Sequence, residues 1–253
     1  MRSAFFCYLQ FENIIVDRLR AIDRLGCVLD LNEVLARLEK SGSEKDRQGM
    51  ARFGINAEKA FGVRVPVMRA LAKEIGKDRA LADRLWRSGY HEARILAGMV
   101  DDPESVTERQ MEEWVAEFNS WDLCDQVILN LFEKTPFAYK KAVEWHKRDE
   151  EFVKRAGYVL MARLAVCDKK ADDAVFIRFF PFIKKGVTDE RNFVKKAVNW
   201  AIRQIGKRNR ALNKKTVAFC RELREIDSPS ARWIVADAMR ELTDEKTIGR
   251  LKK

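Results

Sequence analysis

Phe152-Val153-Lys154-Arg155-Ala156 recurs as Phe193-Val194-Lys195-Lys196-Ala197, an offset of 41 residues, and in both copies apolar residues continue at helical spacing. Ser230-Ala231-Arg232-Trp233 and Glu92-Ala93-Arg94-Ile95 read as more degenerate copies. A period near 40 in a helical chain is the signature of stacked helix pairs of the HEAT or armadillo kind, each burying its apolar face against its neighbours. Such a stack curves into a solenoid whose concave face suits an elongated partner.

The flanking sequence is consistent with this. Only 12 Gly and 5 Pro occur in 253 residues, and they fall where helices would end. Pro66 opens a helix to about Ile75, Asp78 caps another to about Arg87, and Thr107 with Gln110 forms a capping box for one ending near Phe118. Asp149 leads into a helix through about Val166, Asp189 into one ending near Gly206, and Ser228-Pro229 into one through about Leu242. No segment shows strand alternation, and no Pro/Gly/Ser linker divides the chain. The expected fold is all-α, a HEAT-like (armadillo-type) helical repeat solenoid with a concave basic face, forming a single domain over residues 31–253. Residues 1–30 read as an N-terminal extension, in which Ile14–Leu25 has the spacing of one extra amphipathic helix.

Charge is unevenly placed. Lys+Arg number 49 against 39 Asp+Glu, a net +10. Arg191 to Arg221 carries ten basic residues and no acid, whereas Asp101 to Asp125 carries nine acids against the single base Arg109. A concentrated cationic stretch that includes Lys195, Lys196, Arg203, Lys207 and Arg208 points to a polyanion, because Lys and Arg gain affinity for phosphates by releasing condensed counterions. With 47% hydrophobic and 35% charged residues the chain is neither disordered nor membranous. The apolar run Ala4–Leu9 is short for a signal segment, so a cytoplasmic location is expected. The five cysteines are scattered singly and only two histidines, His91 and His146, occur. Neither a disulfide framework nor a metal site is indicated, and the cysteines read as buried thiols. No phosphate-binding glycine loop or nucleophile motif is present, so no cofactor is expected.

Taken at 100° per residue, Phe193, Val194, Ala197, Val198, Ala201 and Ile205 form one buried stripe, with Lys195, Lys196, Asn199 and Arg203 opposite. Trp200 lies between the two. It suits either a core-edge anchor or an aromatic beside cations on a nucleic-acid surface. Arg155 occupies in its repeat the angle of Lys196 in the next. In Ser120-Trp121-Asp122-Leu123-Cys124-Asp125, Trp121 and Asp125 are four apart and share one face of a first helical turn. Asp122 and Asp125 there would complement the helix dipole, or an Asp beside a Trp would stabilise a developing cation. Spacing leaves both open.

These segments, with Gly62-Val63-Arg64-Val65-Pro66-Val67-Met68-Arg69, His91-Glu92-Ala93-Arg94 and Val198-Asn199-Trp200-Ala201-Ile202-Arg203, resemble the DNA alkylation repair family of HEAT-repeat DNA glycosylases, the AlkD-like group, from about Met50 to the C-terminus. The resemblance implies that Trp121 and Trp200 face the damaged nucleotide and that Asp125 is the catalytic carboxylate. It further implies that Arg155 holds the DNA backbone beside the lesion and that Arg203 is another site or DNA contact. The expected activity is hydrolysis of the N-glycosidic bond of cationic N3- or N7-alkylated purines in duplex DNA by a monomer. Phe53 stands where the best-known branch has a tyrosine, and Ser120 where some relatives have a second tryptophan. Phe53 and Asp122 are candidate site walls. The alternative is a non-catalytic helical-repeat protein that binds unusual or damaged DNA or RNA structures.

Overall fold

The structure, a computed structural model, describes residues 29–252. Within them lie fifteen α-helices and one 3₁₀ turn, Phe132–Lys134, with no strand. The first five are α1 (Leu31–Ser41), α2 (Glu44–Arg52), α3 (Val65–Ile75), α4 (Arg79–Ser88) and α5 (His91–Val100). Next come α6 (Glu108–Ala116), α7 (Trp121–Asn130), α8 (Ala138–Trp145), α9 (Glu151–Cys167) and α10 (Asp173–Ile177). The chain ends with α11 (Phe180–Gly186), α12 (Asn192–Gly206), α13 (Arg210–Leu223), α14 (Pro229–Leu242) and α15 (Glu245–Gly249).

Five helices stack as an inner row: α5 on α7, α7 on α9, α9 on α12 and α12 on α14. Helices α4, α8 and α13 cover that row from outside, giving the HEAT-like layering of helix on helix. One continuous core runs through the stack, from Val34 and Leu38 of α1 to Leu242 of α14. All four copies of the repeated segment begin at the second residue of an inner helix, namely Glu92 in α5, Phe152 in α9, Phe193 in α12 and Ser230 in α14. The fifth residues of α7, α9, α12 and α14 are therefore Asp125, Arg155, Lys196 and Trp233, in register along the row.

Local signals set most helix starts. Asp78 accepts from the Leu81 amide at 2.8 Å, and Ser228 accepts from that of Ala231 at 3.2 Å. Pro66 sits in the first turn of α3, where its missing N–H costs nothing. Thr107 caps α6 by accepting from the Gln110 amide, but the reciprocal half of the expected capping box does not form. The Gln110 side-chain amide donates instead to buried Asp101 at 2.6 Å. Helix α6 stops at Ala116, two residues before the expected end.

Two further expectations change on folding. Asn199, placed opposite the buried stripe, is only 2% exposed, because α14 packs there and its Ile234 carbonyl accepts the Asn199 amide at 3.1 Å. Cys124 and Cys220 are buried but Cys167 is exposed at the end of α9. Cys7, Cys27, the proposed helix Ile14–Leu25 and nearly all of the 1–30 extension lie outside the described residues.

Helices α8 and α9 approach closely at Gly157, where a Cβ would lie 2.5 Å from the His146 backbone nitrogen. Alanine in a helix gains about 1 kcal/mol over glycine. Here backbone, which cannot rotate away, would have to shift, at about 1–3 kcal/mol or more. Gly157→Ala is therefore expected to lower the thermal midpoint, measured by circular dichroism, despite its better helix propensity.

Candidate active site

The first turn of α7 brings Trp121, Asp122 and Asp125 to the inner row, and the adjacent α9 brings Arg155 against them. Arg155 grips Asp125 at both oxygens, Nε to Oδ1 at 3.0 Å and Nη2 to Oδ2 at 2.8 Å. Its Nη1 donates to the Phe193 carbonyl at 2.6 Å, tying α9 to α12 as well. Two parallel N–H donors require carboxylate lone pairs, so this is the geometry of the ionised acid. Burial pushes the Asp125 carboxyl up from its ordinary value, and Arg155 pulls it back only in part. Three of the five guanidinium N–H groups are engaged, leaving two on Nη1 and Nη2.

A cleft of about 530 Å³ opens above this pair, lined by Arg52, Phe53, Gly54, Trp121, Arg155, Asn192, Phe193 and Lys196. Asp125 lies behind Arg155 and does not itself line the cleft. The Trp121 indole N–H donates to the Phe53 carbonyl at 2.8 Å, just past the end of α2. That bond uses the ring edge and fixes the plane of the indole in the cleft wall. Gly54 follows at φ 69°, and a Cβ there would fall 2.6 Å from the Phe193 ring. Only glycine combines that backbone with that contact. Phe53 is 67% exposed at the rim.

Asp122 faces a neighbouring cavity of about 550 Å³ that shares Arg52 and Phe53 with the cleft and also contains His91 and Glu92. His91 Nε2 lies 2.8 Å from Asp122 Oδ2. Burial alone would raise the Asp122 carboxyl, but the His91 hydrogen bond and charge outweigh it and hold it below its usual value. Glu92, 1% exposed, accepts the backbone N–H groups of Phe61, Gly62 and Val63 at 2.9, 2.7 and 3.1 Å. It thereby fixes the loop between α2 and α3.

The remaining candidates are dispersed. Trp200 is half-buried against the core, one turn beyond Lys196 and not in the cleft wall. Lys195 is half-buried with its ammonium 5.3 Å from the centre of the Trp233 ring. Arg203 is held by Asp237 and Glu241 of α14, and Lys207 reaches the same Glu241 at 2.7 Å. Arg208 donates to the carbonyls of Ala165 and Ala171 at 3.1 and 2.8 Å and lies over the Phe176 ring. The acid-free stretch thus draws its counter-charges from elsewhere in the chain, and Lys207 and Arg208 serve as helix ties.

Arg52 and Lys196 line the cleft, exposed, with no ion pair among the described residues. Sequence reasoning missed Arg52, Gly54 and Glu92. The only sequence cues were the neighbouring Phe53 and the motif containing His91. No group of three or more metal-ligating side chains and no helix long and apolar enough to cross a membrane occurs among the described residues.

No curated protein sequence matches the chain. One similar solved structure is described as belonging to a new family related to the HEAT-like repeat DNA glycosylases with affinity for branched DNA structures. It is 21% identical, superposes with a TM-score of 0.70, and the match covers 84% of this chain and 95% of that one. At that identity the likeness speaks for the fold. The family model for DNA alkylation repair enzymes matches residues 34–242, nearly the whole described solenoid, and the chain belongs to that family.

Proposed function

We propose that this protein is a DNA glycosylase that hydrolyses the N-glycosidic bond of N3- and N7-alkylated purines in duplex DNA. The observation that carries the reading is the Asp125 carboxylate, oriented by Arg155 directly behind the lining of an open cleft. That lining includes Trp121 and the exposed cations Arg52 and Lys196, which have no ion pair among the described residues. Sugar hydrolases commonly need two carboxylates, one of them an acid for a poor leaving group, and pass through an oxocarbenium-like transition state. An alkylated purine is already cationic and leaves neutral, so one carboxylate suffices to stabilise the sugar cation and orient water. Trp121, with its N–H spent on Phe53, offers its ring face to that cation, a contact worth about 0.5–2 kcal/mol. Lys196 and Arg52 suit flanking phosphates. Arg155 serves first to position Asp125, and its two spare N–H groups can also reach the backbone.

Base release requires ionised Asp125, so the rate falls as pH drops through that group's titration. Arg155 lowers the Asp125 value against the upward push of burial. Arg155→Gln should therefore move the acid limb of the rate profile to higher pH, and Arg155→Lys should move it part of the way back. A profile unchanged in Arg155→Gln would remove the positioning role.

The second reading is a non-catalytic binder of unusual DNA structures, favoured by the affinity for branched DNA described for the family of the similar structure. Incubation with methylated duplex separates the two: the first expects time-dependent release of free N7-methylguanine or N3-methyladenine, the second expects binding alone.

A further inference from the structure

The inner-row register continues past the cleft. After Asp125, Arg155 and Lys196, the fifth residue of the last inner helix, α14, is Trp233. It is 41% exposed, whereas Trp86, Trp114 and Trp145 are at most 3% exposed. Lys195, one residue from Lys196 of the cleft wall, places its ammonium over the Trp233 ring. The acid one turn further along, Asp237, is already paired with Arg203 and Arg240, so its charge is met. An exposed indole beside a lysine, on the line of the cation row, is the arrangement that binds single-stranded nucleic acid: a π-face for a base and a charge for the next phosphate. An intact duplex has no free base face to offer it.

We infer that Trp233, with Lys195, is a stacking site for an unpaired nucleobase of a single-stranded segment continuous with the duplex in the cleft. The inference rests on the proposal that duplex DNA lies along the inner row. Neighbouring helix axes are about 8–10 Å apart, so two steps from α9 to α14 span roughly 16–20 Å. At about 3.4 Å per nucleotide, the unpaired base lies five or six nucleotides from the one at Arg155. The ligand is thus a duplex with a strand end, flap or fork within about half a helical turn of the cleft.

The test is fluorescence-anisotropy binding of a blunt duplex and of the same duplex carrying a 3′ or 5′ single-stranded thymidine extension. Wild type, Trp233→Ala and Trp233→Phe are compared at one salt concentration. Wild type is expected to prefer one of the extended duplexes by about tenfold, the order of one base–aromatic stack. Trp233→Ala should lose that preference while binding blunt duplex within about twofold of wild type, and Trp233→Phe should keep most of it. Trp233 is part-buried as well as exposed, so Trp233→Ala is expected to melt somewhat lower and Trp233→Phe near wild type, and binding is compared at a temperature where all three are folded. Equal preference in wild type and Trp233→Ala, or no preference in wild type, overturns the inference. Base release from blunt methylated duplex is measured in parallel. A preference for extended DNA without base release upholds this site and rejects the glycosylase reading, and base release without the preference does the reverse.

Discussion

Asp125→Asn is expected to reduce base release from methylated duplex DNA by about 10²–10³-fold, the usual loss when one pre-placed electrostatic stabiliser is removed from a reaction centre. The amide keeps the size of the carboxylate and one acceptor, so one of the two Arg155 bonds can survive while the charge opposite the sugar cation vanishes. Affinity for DNA should change by less than about threefold, because Lys196 and Arg52 are untouched. The variant should also melt at lower temperature. Arg155, only 6% exposed at its side chain, then faces a neutral partner, and breaking a buried pair from one side is costly. Single-turnover release at a temperature where both proteins are folded separates the two effects. A variant that is folded and releases base at the wild-type rate would remove Asp125 from the chemistry.

Lys141→Ala is expected to cause a large stability loss without touching the cleft. The Lys141 side chain is 2% exposed, and its ammonium lies 2.8 Å from Glu108, 2.7 Å from Glu112 and 2.8 Å from Glu144. Glu112 also accepts the Trp145 indole N–H at 2.8 Å, so α6 and α8 are joined at one point. Deleting the cation leaves the three acids with only the more exposed Lys140, on Glu108 and Glu144, and Arg148, on Glu112. Buried pairs broken from one side cost about 3–5 kcal/mol. The carboxylates here are themselves near 40% exposed, which places the cost at the lower end, about 3 kcal/mol. For a chain of this size that lowers the thermal midpoint by roughly 6–12 °C. By contrast, Arg109 pairs with Glu113 at side-chain exposures of 87% and 54%, and Arg109→Ala should shift the midpoint by no more than about 1–2 °C.

The helices were legible in the sequence wherever local chemistry sets them. Ser228, Asp78 and Pro66 act within their own first turn, and their helices begin where the residues indicate. The repeated segment marked the register of the inner row, because copies of one helix position meet the same packing. Spacing could not show which charges find partners one repeat away. Asp125 and Arg155 are 30 residues apart, and Arg203 and Glu241 are 38 apart. The stretch at 101–125 holds nine acids and the single base Arg109, yet Glu108 and Glu112 find their cation outside it and gather around Lys141. The acid-free stretch at 191–221 looked like one free cationic surface, yet Arg203 and Lys207 are paired and Arg208 is tied to backbone carbonyls. Asn199 was misplaced for the same reason, since a helical wheel sees one helix and α14 covers a second face of α12. Trp121 and Asp125 were correctly placed on one helix face. Only the fold shows that the indole edge is fixed by Phe53 and the carboxylate by Arg155.

The central claim is that the site hydrolyses the glycosidic bond of bases that are cationic in DNA and leave neutral. It is tested most directly by comparing wild-type release of N7-methylguanine with release of hypoxanthine, a neutral lesion, from otherwise identical duplexes. With one carboxylate and no second acid to protonate a leaving group, N7-methylguanine should be released at least about 10²-fold faster, since general acid catalysis is worth about that much or more. Bound but uncleaved N7-methylguanine DNA, or equal release of the two bases, would contradict the account.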